Sequence, residues 1–234
     1  MIPKVIHYCW FGGKPLPMEV ERCIRSWKKF CPDYEIRQWN ESNYDVRKHP
    51  FMEAAFEAGC WAFVSDYARL DIIYNYGGIY LDTDVELLKD LQPLLELECY
   101  FGMQQDRNLI ATGLGFGAVK GNGAVKKMLE YYDDLTFSAE QKVQLACPQL
   151  NSAALAASGF VREDRLQVVE GAHIFPCTYF DPLSPGRTRN LIGNDTVSIH
   201  HYSASWQPAK NRWKRKLIRF IGQERIAKIK EWLR

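Results

Sequence analysis

Residues 77–86, with the sequence GGIYLDTDVE, decide the fold and point to the chemistry of this chain. The apolar residues 79–81 predict a short buried strand, and Asp82 and Asp84 follow it one residue apart. Open α/β sheets bind their ligands at the carboxyl ends of strands. Carboxylate oxygens are suitable ligands for Mg²⁺ or Mn²⁺, and substrate phosphates complete the coordination shell of these ions. An Asp-rich surface turn is the ordinary alternative, but the position behind Gly77-Gly78 favours a site where a divalent ion holds a diphosphate.

The segments on either side of this stretch alternate between strand and helix patterns. Upstream, apolar spacing predicts strands at 4–10 and 34–39 and helices at 19–30, 51–58 and 62–76. Downstream, it predicts strands at 100–104, 115–119, 167–170 and 196–201 and helices at 124–135 and 150–157. Gly113, Gly115 and Gly117 do not match a dinucleotide fingerprint and indicate a tight backbone approach. We predict a single α/β domain.

Composition indicates a globular chain with reduced thiols. The 234 residues include seven cysteines, an odd number with no CxxC pair, so neither a zinc site nor a disulfide framework is indicated. No run of about 18 apolar residues is present to span a bilayer, and the N-terminal run is too short for a signal peptide. We therefore expect a cytoplasmic protein that is not exported.

The positive charge is concentrated in residues 208–234. This segment holds ten Lys/Arg and two Glu, whereas residues 1–207 hold 20 basic and 26 acidic residues. Its apolar residues recur at near-helical intervals, which predicts a basic amphipathic helical tail. Such a tail either packs on its own domain or attaches to an anionic membrane surface on the inner face of the cell membrane. The acidic body argues against a nucleic-acid partner.

Three further groups are candidates for the same site. Asp66 and Arg69 lie three apart on a predicted helix, either as a local ion pair or as a clamp for hydroxyl and phosphate groups. His200-His201 at the end of a late strand could supply a nitrogen ligand, with Ser205-Trp206 as a wall. Trp10, at the end of the first strand, either packs in the core or stacks on a ligand.

Taken together, these segments resemble the glycosyltransferases with the DXD sugar-binding motif. The resemblance is carried by IPKVIHYCW, SDYARLDIIYNYGGIYLDTDVE and SIHHYSASW, and it covers residues 2 to about 206. That family includes bacterial capsule transferases, fungal initiating mannosyltransferases and glucosylating toxin domains. It implies a GT-A type fold with a mostly parallel, Rossmann-like mixed sheet flanked by helices over residues 1–207. It also implies a nucleotide-sugar donor, an Mn²⁺ or Mg²⁺ cofactor and retention of anomeric configuration.

The resemblance also implies roles for individual residues. Trp10 stacks on the donor base beside the backbone of residues 5–7, Asp84 is the direct metal ligand, and Asp82 reaches the ribose or the ion. One of the two histidines completes the coordination, with His201 preferred over His200. The implied donor-binding residues are Val5, His7, Trp10, Asp66, Arg69, Tyr80, Asp82, Ser205 and Trp206. The implied catalytic group is Asp66, Arg69, Asp82 and Asp84.

The sequence therefore predicts a metal-dependent retaining glycosyltransferase. We expect it to move a sugar from a nucleotide sugar, with UDP-hexose favoured over GDP-mannose, to a glycan or lipid-linked glycan acceptor in surface or capsular polysaccharide synthesis. A nucleotidyltransferase or phosphohydrolase using the same Asp pair is the alternative enzyme class. Against a nucleotidyltransferase, the N-terminus offers only Gly12-Gly13-Lys14 in place of a Gly-rich basic phosphate loop. A non-catalytic sugar- or membrane-binding protein would not require so full a set of polar site residues.

Overall fold

The computed structural model describes residues 1–183 and 189–203, so Ser205, Trp206 and the predicted tail lie outside the described residues. The helices in the described part are α1 (Met18–Phe30), α2 (Pro50–Glu57), α3 (Trp61–Tyr76), α4 (Gly123–Glu130), α5 (Cys147–Ala156) and α6 (Cys177–Phe180). The strands there are β1 (Val5–Cys9), β2 (Glu35–Trp39), β3 (Gly78–Tyr80), β4 (Val85–Leu87), β5 (Cys99–Gly102), β6 (Phe116–Ala118), β7 (Gln167–Val169), β8 (Ala172–Phe175) and β9 (Ser198–His200). None of these helices is long and apolar enough to span a bilayer.

Seven strands form one mixed sheet in the order β2-β1-β3-β6-β5-β8-β7. β1 pairs in parallel with β2 and β3, and β5 pairs in parallel with β8. β6 runs antiparallel to both of its neighbours, and β7 runs antiparallel to β8. Five strands therefore share one direction, which confirms the mostly parallel α/β sheet. The predicted helices and strands are present with small shifts of their ends, and β4, β8 and α6 are additional.

Helices cover both faces of the sheet, as expected for an α/β fold. One buried cluster joins α2, α3 and α4 to the sheet through side chains such as Phe51, Leu70 and Met128. A second buried cluster joins α1 to β4 through Trp27 and Leu87. Burying apolar surface on both faces is the main source of stability for such a sheet.

Gly77 and Gly78 make the tight passage from α3 into β3. Their φ angles are +69° and +103°, a region that side-chain-bearing residues seldom adopt. A Cβ on Gly78 would lie 2.8 Å from the carbonyl oxygen of Val5. Two glycines here therefore let β3 lie directly against β1 and place Asp82 just beyond the carboxyl end of the strand.

A second, two-stranded sheet determines where the chain returns to this point. β4 follows the Asp pair at once and pairs antiparallel with β9, in a register that sets Val85 opposite His200. The N–H of His201 also donates to the carbonyl of Asp84, at 2.9 Å. This pairing brings the late histidine segment beside the Asp-x-Asp sequence.

Candidate active site

An open cleft lies at the carboxyl ends of β1 and β3. The first turns of α3 line one side with Trp61, Ser65 and Arg69, which are spaced four residues apart and so share one face of the helix. Trp10 and Lys14 line the cleft after β1. Asp82, Asp84, His200 and Tyr202 also line it. The cleft therefore has the position at which open α/β sheets bind ligands.

Arg69 is the buried centre of one part of this cleft. Only 4% of its side chain is exposed, and its Nη2 lies 3.0 Å from Asp66 Oδ1 and 3.1 Å from Asp82 Oδ1. The Tyr80 hydroxyl donates to Asp82 at 3.0 Å, and the guanidinium lies 5.0 Å from the centre of the Tyr80 ring. Asp66 and Arg69 thus form a bridge to Asp82 rather than an isolated surface pair. The predicted donor residue Tyr80 lies behind this bridge and supports it.

Burial and the charge of Arg69 shift the pKa values of Asp66 and Asp82 in opposite directions. Burial raises the pKa of Asp66 to about 6, although the charge of Arg69 favours its ionised form. Burial likewise raises the pKa of Asp82 from its ordinary value, again against Arg69. Burial penalises the charged form of each carboxylate, and the one guanidinium of Arg69 favours that form in both.

The backbone approaches this bridge closely at Gly113. A Cβ at Gly113 would meet the Asp82 carboxylate and lie 3.0 Å from Nη1 of Arg69. The tight approach predicted for the alternating glycines is therefore confirmed at this position. Cys147, at the start of α5, also contacts the bridge: Arg69 Nη1 donates to its sulfur at 3.7 Å.

Asp84 has a separate set of partners. Its Oδ1 lies 2.9 Å from His200 Nε2, and its Oδ2 accepts hydrogen bonds from the N–H and hydroxyl of Ser203 at 2.7 and 3.1 Å. Burial would raise the pKa of Asp84, but the charge of His200 and these hydrogen bonds outweigh it and hold the pKa below its usual range. Burial lowers the pKa of His200, and the Asp84 charge overcomes this and raises it. Asp84 is therefore anionic at neutral pH.

The structure corrects the preference for His201 over His200. The His200 ring meets Asp84, whereas His201 Nε2 contacts Glu86 Oε2 at 2.7 Å. Neighbouring residues of an extended chain direct their side chains to opposite sides, so only one of the two histidines can face the Asp pair. The register of β9 against β4 selects His200.

The donor atoms present fit a divalent ion. Asp82, Asp84 and His200 each offer a ligand atom, and these atoms lie within 4.8 Å of one another. His200 Nδ1 is buried and has no hydrogen-bond partner among the described residues, so only Nε2 of this ring has one there. Two carboxylates and an imidazole are a donor set that suits Mn²⁺ and is compatible with Mg²⁺.

The other predicted donor residues lie in different places. Trp10 lines the cleft, with its Nε1 donating to the Lys14 carbonyl at 2.6 Å, so it is not simply a core residue. Val5 and His7 do not line it. They lie in the first part of β1, with Val5 about 13 Å from the strand's carboxyl end at about 3.3 Å per residue. His7 is 1% exposed and is enclosed by other side chains.

The residues that line or complete the cleft and that sequence reasoning missed include Lys14, Trp61, Ser65, Tyr202 and Ser203. Trp61 and Ser65 were recoverable in principle, because they continue the Arg69 face of α3 at four-residue intervals. Tyr202 and Ser203 directly follow the histidine pair, but only the β4–β9 register shows that they reach Asp84 and the cleft.

The fold is of the GT-A type found in glycosyltransferases. The solved structure titled PaToxG Glycosyltransferase matches with a TM-score of 0.51 at 19% identity, over 67% of this chain and 68% of that one, and this likeness supports the fold. Residues 17–101 match the family model of the glycosyltransferase sugar-binding region containing the DXD motif. The resemblance is thereby confirmed, and this chain carries that family's sugar-binding region.

Curated relatives agree with this assignment. Inositol phosphoceramide mannosyltransferase 3 of Schizosaccharomyces pombe is 28% identical over 119 residues, covering 49% of this chain and 33% of the relative. An uncharacterised glycosyltransferase of Acanthamoeba polyphaga mimivirus is 29% identical over 123 residues, covering 49% of this chain and 48% of the relative. The chain therefore spans a third to a half of the length of these relatives.

Proposed function

We propose that this chain is a metal-dependent retaining glycosyltransferase that moves a hexose from a nucleotide sugar to a glycan acceptor. The observation that carries the proposal is the convergence of Asp82, Asp84 and His200 beside the buried Arg69. A glycosyl transfer from such a donor leaves negative charge on the departing diphosphate. A cleft that joins a guanidinium to a divalent-ion donor set supports this chemistry better than it supports simple sugar binding.

The residues of the cleft have separate proposed roles in stabilising charge, holding the ion and binding the donor. Arg69 stabilises charge on the leaving diphosphate electrostatically, since its guanidinium is already fixed by Asp66 and Asp82 and needs no reorganisation. Asp82, Asp84 and His200 would hold the ion, which when bound supplies a Lewis acid for the same charge. Trp10 offers an aromatic face for the donor base, and Asp66 orients the donor sugar through Arg69. We name no covalent nucleophile.

For the donor we propose a UDP-hexose, with GDP-mannose as the competing donor. The competing donor is supported by the names of two relatives, both inositol phosphoceramide mannosyltransferases of Schizosaccharomyces pombe. We place the acceptor among glycans or lipid-linked glycans of a surface or capsular polysaccharide. Retention of configuration follows from the family resemblance alone.

The first experiment is a panel of UDP- and GDP-sugars incubated with the full chain and Mn²⁺. We expect one donor to give free nucleoside diphosphate and sugar, to stabilise the chain against heat, and to lose both effects in EDTA. A nucleotidyltransferase would instead need added pyrophosphate and would give nucleoside triphosphate and sugar 1-phosphate, whereas a phosphohydrolase would give nucleoside monophosphate and sugar 1-phosphate. Product analysis by NMR then tests retention, because an α-linked donor must give an α-linked product. A β-linked product would contradict the mechanism.

For the tail we propose attachment to an anionic membrane on the cytoplasmic side. The support is its composition, ten basic and two acidic residues over 208–234. A chain that ends after Pro208 should keep donor hydrolysis and lose binding to vesicles containing phosphatidylserine, and the intact chain's binding should weaken with salt. An insoluble truncated chain would favour packing of the tail on the domain instead.

A further inference from the structure

The carboxylate of Asp181 is buried near the cleft but does not line it. Asp181 follows α6 directly and has no solvent exposure. Its Oδ2 accepts from the backbone N–H of Gln105 at 2.7 Å and from the hydroxyl of Tyr202 at 2.9 Å. A carboxylate so deeply buried is costly unless its hydrogen bonds are made, so the Tyr202 bond is a feature the fold maintains.

The segment around β9 is tied to α6 on both sides. Before the strand, the Val197 N–H donates to the Tyr179 carbonyl at 2.8 Å, and the Thr196 hydroxyl donates to the Thr178 carbonyl at 2.9 Å. After the strand, Tyr202 donates to Asp181. His200 therefore lies between two attachments to the same short helix.

Tyr202 contacts His200 directly. The two rings meet edge to face with their centres 4.1 Å apart. The φ of Tyr202 is +50°, a left-handed conformation uncommon for residues other than glycine, which the surrounding contacts must hold. Ser203, the next residue, donates twice to Asp84. The Asp181–Tyr202 bond thus fixes a sharp turn with His200 on one side and Ser203 on the other.

We infer that Asp181 is a positioning residue for the ion site, acting through the Tyr202 hydroxyl to hold His200 and Ser203 against Asp84. The inference rests on the proposed ion site, since His200 is one of its three ligands. Groups that orient metal ligands typically change metal affinity by about 10–100-fold when they are removed. Asp181 contacts neither Asp82 nor Asp84 in the described structure; its hydrogen bond to Tyr202 connects it to the turn, and its charge also acts on His200.

The test measures Mn²⁺ binding directly, without donor and without turnover. The full chain is titrated with Mn²⁺, and free Mn²⁺ is followed by its electron paramagnetic resonance signal. Tyr202→Phe removes one hydroxyl and keeps the ring beside His200, and we expect it to weaken Mn²⁺ binding by about 10-fold. Asp181→Asn should weaken it similarly, and the double variant should be no weaker than Asp181→Asn, because both changes break one connection.

A matched control separates positioning from general stability. Tyr44→Phe also removes a tyrosine hydroxyl bound to a buried carboxylate, that of Asp71 at 2.7 Å, but away from the cleft. We expect Tyr44→Phe to lower the melting temperature and leave the Mn²⁺ affinity unchanged. If Tyr44→Phe weakened Mn²⁺ binding as much as Tyr202→Phe, the positioning role would be refuted.

Asp84→Asn distinguishes failure of the inference from failure of the proposed function. Should Asp84→Asn lose Mn²⁺ while Tyr202→Phe binds it like the unaltered chain, the ion site stands and the positioning role is overturned. Should the unaltered chain bind no Mn²⁺, or Asp84→Asn bind it normally, the proposed ion site falls and the inference falls with it. If the losses of Mn²⁺ affinity in Asp181→Asn and Tyr202→Phe added up in the double variant, the two residues would not act through one hydrogen bond and the inference would be overturned. If Asp181→Asn does not fold, Tyr202→Phe decides alone.

Discussion

The two aspartates of the Asp-x-Asp sequence lie in two differently built halves of one cleft. Asp82 belongs to the Arg69 half, whose members Asp66, Arg69 and Tyr80 come from α3 and β3, all within 17 residues of one another in the sequence. Asp84 belongs to the His200 half, whose other members, His200 and Ser203, arrive from the far end of the described chain. The Arg69 half is a charge bridge centred on a buried guanidinium, whereas the His200 half is a hydrogen-bonded turn on a two-stranded sheet.

This difference indicates two duties within the cleft. A preformed, buried guanidinium is suited to stabilising charge without moving, because its orientation is already fixed. Asp84 is kept anionic by His200, which is one of the three residues proposed to hold the ion, so we propose that the His200 half binds the cation. Variants in the two halves should therefore fail in different ways, one through folding and the other through chemistry.

Arg69→Ala should have the largest effect, and it tests whether the Arg69 half contributes to folding stability. Removing the guanidinium leaves two buried carboxylates without their main partner, which should lower the free energy of unfolding by about 3–5 kcal/mol. Urea unfolding at pH 7 measures it. Arg25→Ala is the control, because Arg25 pairs with Glu21 on the exposed surface of α1 at 3.9 Å and should cost less than about 1 kcal/mol. Equal effects of the two changes would show that the bridge is not structural.

The free energy of unfolding should fall in acid because of His7, which lies in the sheet beneath the Arg69 half. Trp39 Nε1 donates to His7 Nδ1 at 3.0 Å, and His7 Nε2 faces the Gly77 carbonyl at 3.1 Å, so the ring is held neutral. Burial, assisted by the charge of Arg37, lowers the pKa of His7 to about 4. Because the folded pKa lies below the unfolded value of about 6.5, the unfolded chain binds the proton first as pH falls.

Stability linked to His7 should therefore be unaffected above about pH 6.5, fall between pH 6.5 and 4, and level off below. The full change is about 3 kcal/mol, at about 1.36 kcal/mol per pKa unit. His7→Gln keeps a donor and an acceptor but does not titrate. Unfolding free energies of the two chains, compared from pH 7.5 to 4, should diverge by this amount; parallel curves would assign the acid sensitivity elsewhere.

The His200 half is tested by Asp84→Asn. Losing the anionic ligand should reduce kcat/KM for Mn²⁺-dependent donor hydrolysis by at least about 100-fold, equivalent to about 2.7 kcal/mol. The melting temperature should change little, in contrast to Arg69→Ala. Asp33→Asn, at a surface carboxylate paired with Lys4, is the control and should retain activity. Near-normal turnover of Asp84→Asn at limiting Mn²⁺ would show that the ion site has been assigned wrongly.

The smallest expected effect is at Trp10, on the rim shared by both halves. If its ring stacks on the donor base, Trp10→Ala should weaken donor binding by about 1–3 kcal/mol, and Trp10→Phe should recover part of it. Calorimetry with the nucleoside diphosphate gives the affinity. Unchanged affinity with a lower melting temperature would make Trp10 a packing residue.

The fold could be predicted from sequence wherever a segment was long or strongly periodic. α1 shows clear apolar spacing, α3 is long and rich in apolar residues, and Gly77 marks the end of α3. β4 and β8, three and four residues long, carry too little pattern to be recognised. Their existence depends on pairing with β9 and β5, which are distant in sequence.

The site was predictable in its residue types and less so in its geometry. Asp66, Arg69, Asp82 and Asp84 are close in sequence, and the structure brings them together. The choice between His200 and His201 depends on a one-residue register, which a sequence does not display. Val5 and His7 lie further back on β1 than the residues that line the cleft, so their role at the donor stays a prediction, and the contribution of Tyr202 depends on its left-handed backbone.

The pairing of β4 with β9 also determines when this part of the cleft can form during translation, because the two strands are made at different times. Asp84 and Ser203 are 119 residues apart, so a ribosome adding about 5–20 residues per second needs roughly 6–24 s to supply the second after the first. During that interval the Arg69 half can assemble from residues already made, while Asp84 has neither His200 nor Ser203. The proposed cation site of the nascent chain therefore lacks His200 until the last described strand emerges, so we expect metal binding to follow assembly of the Arg69 half.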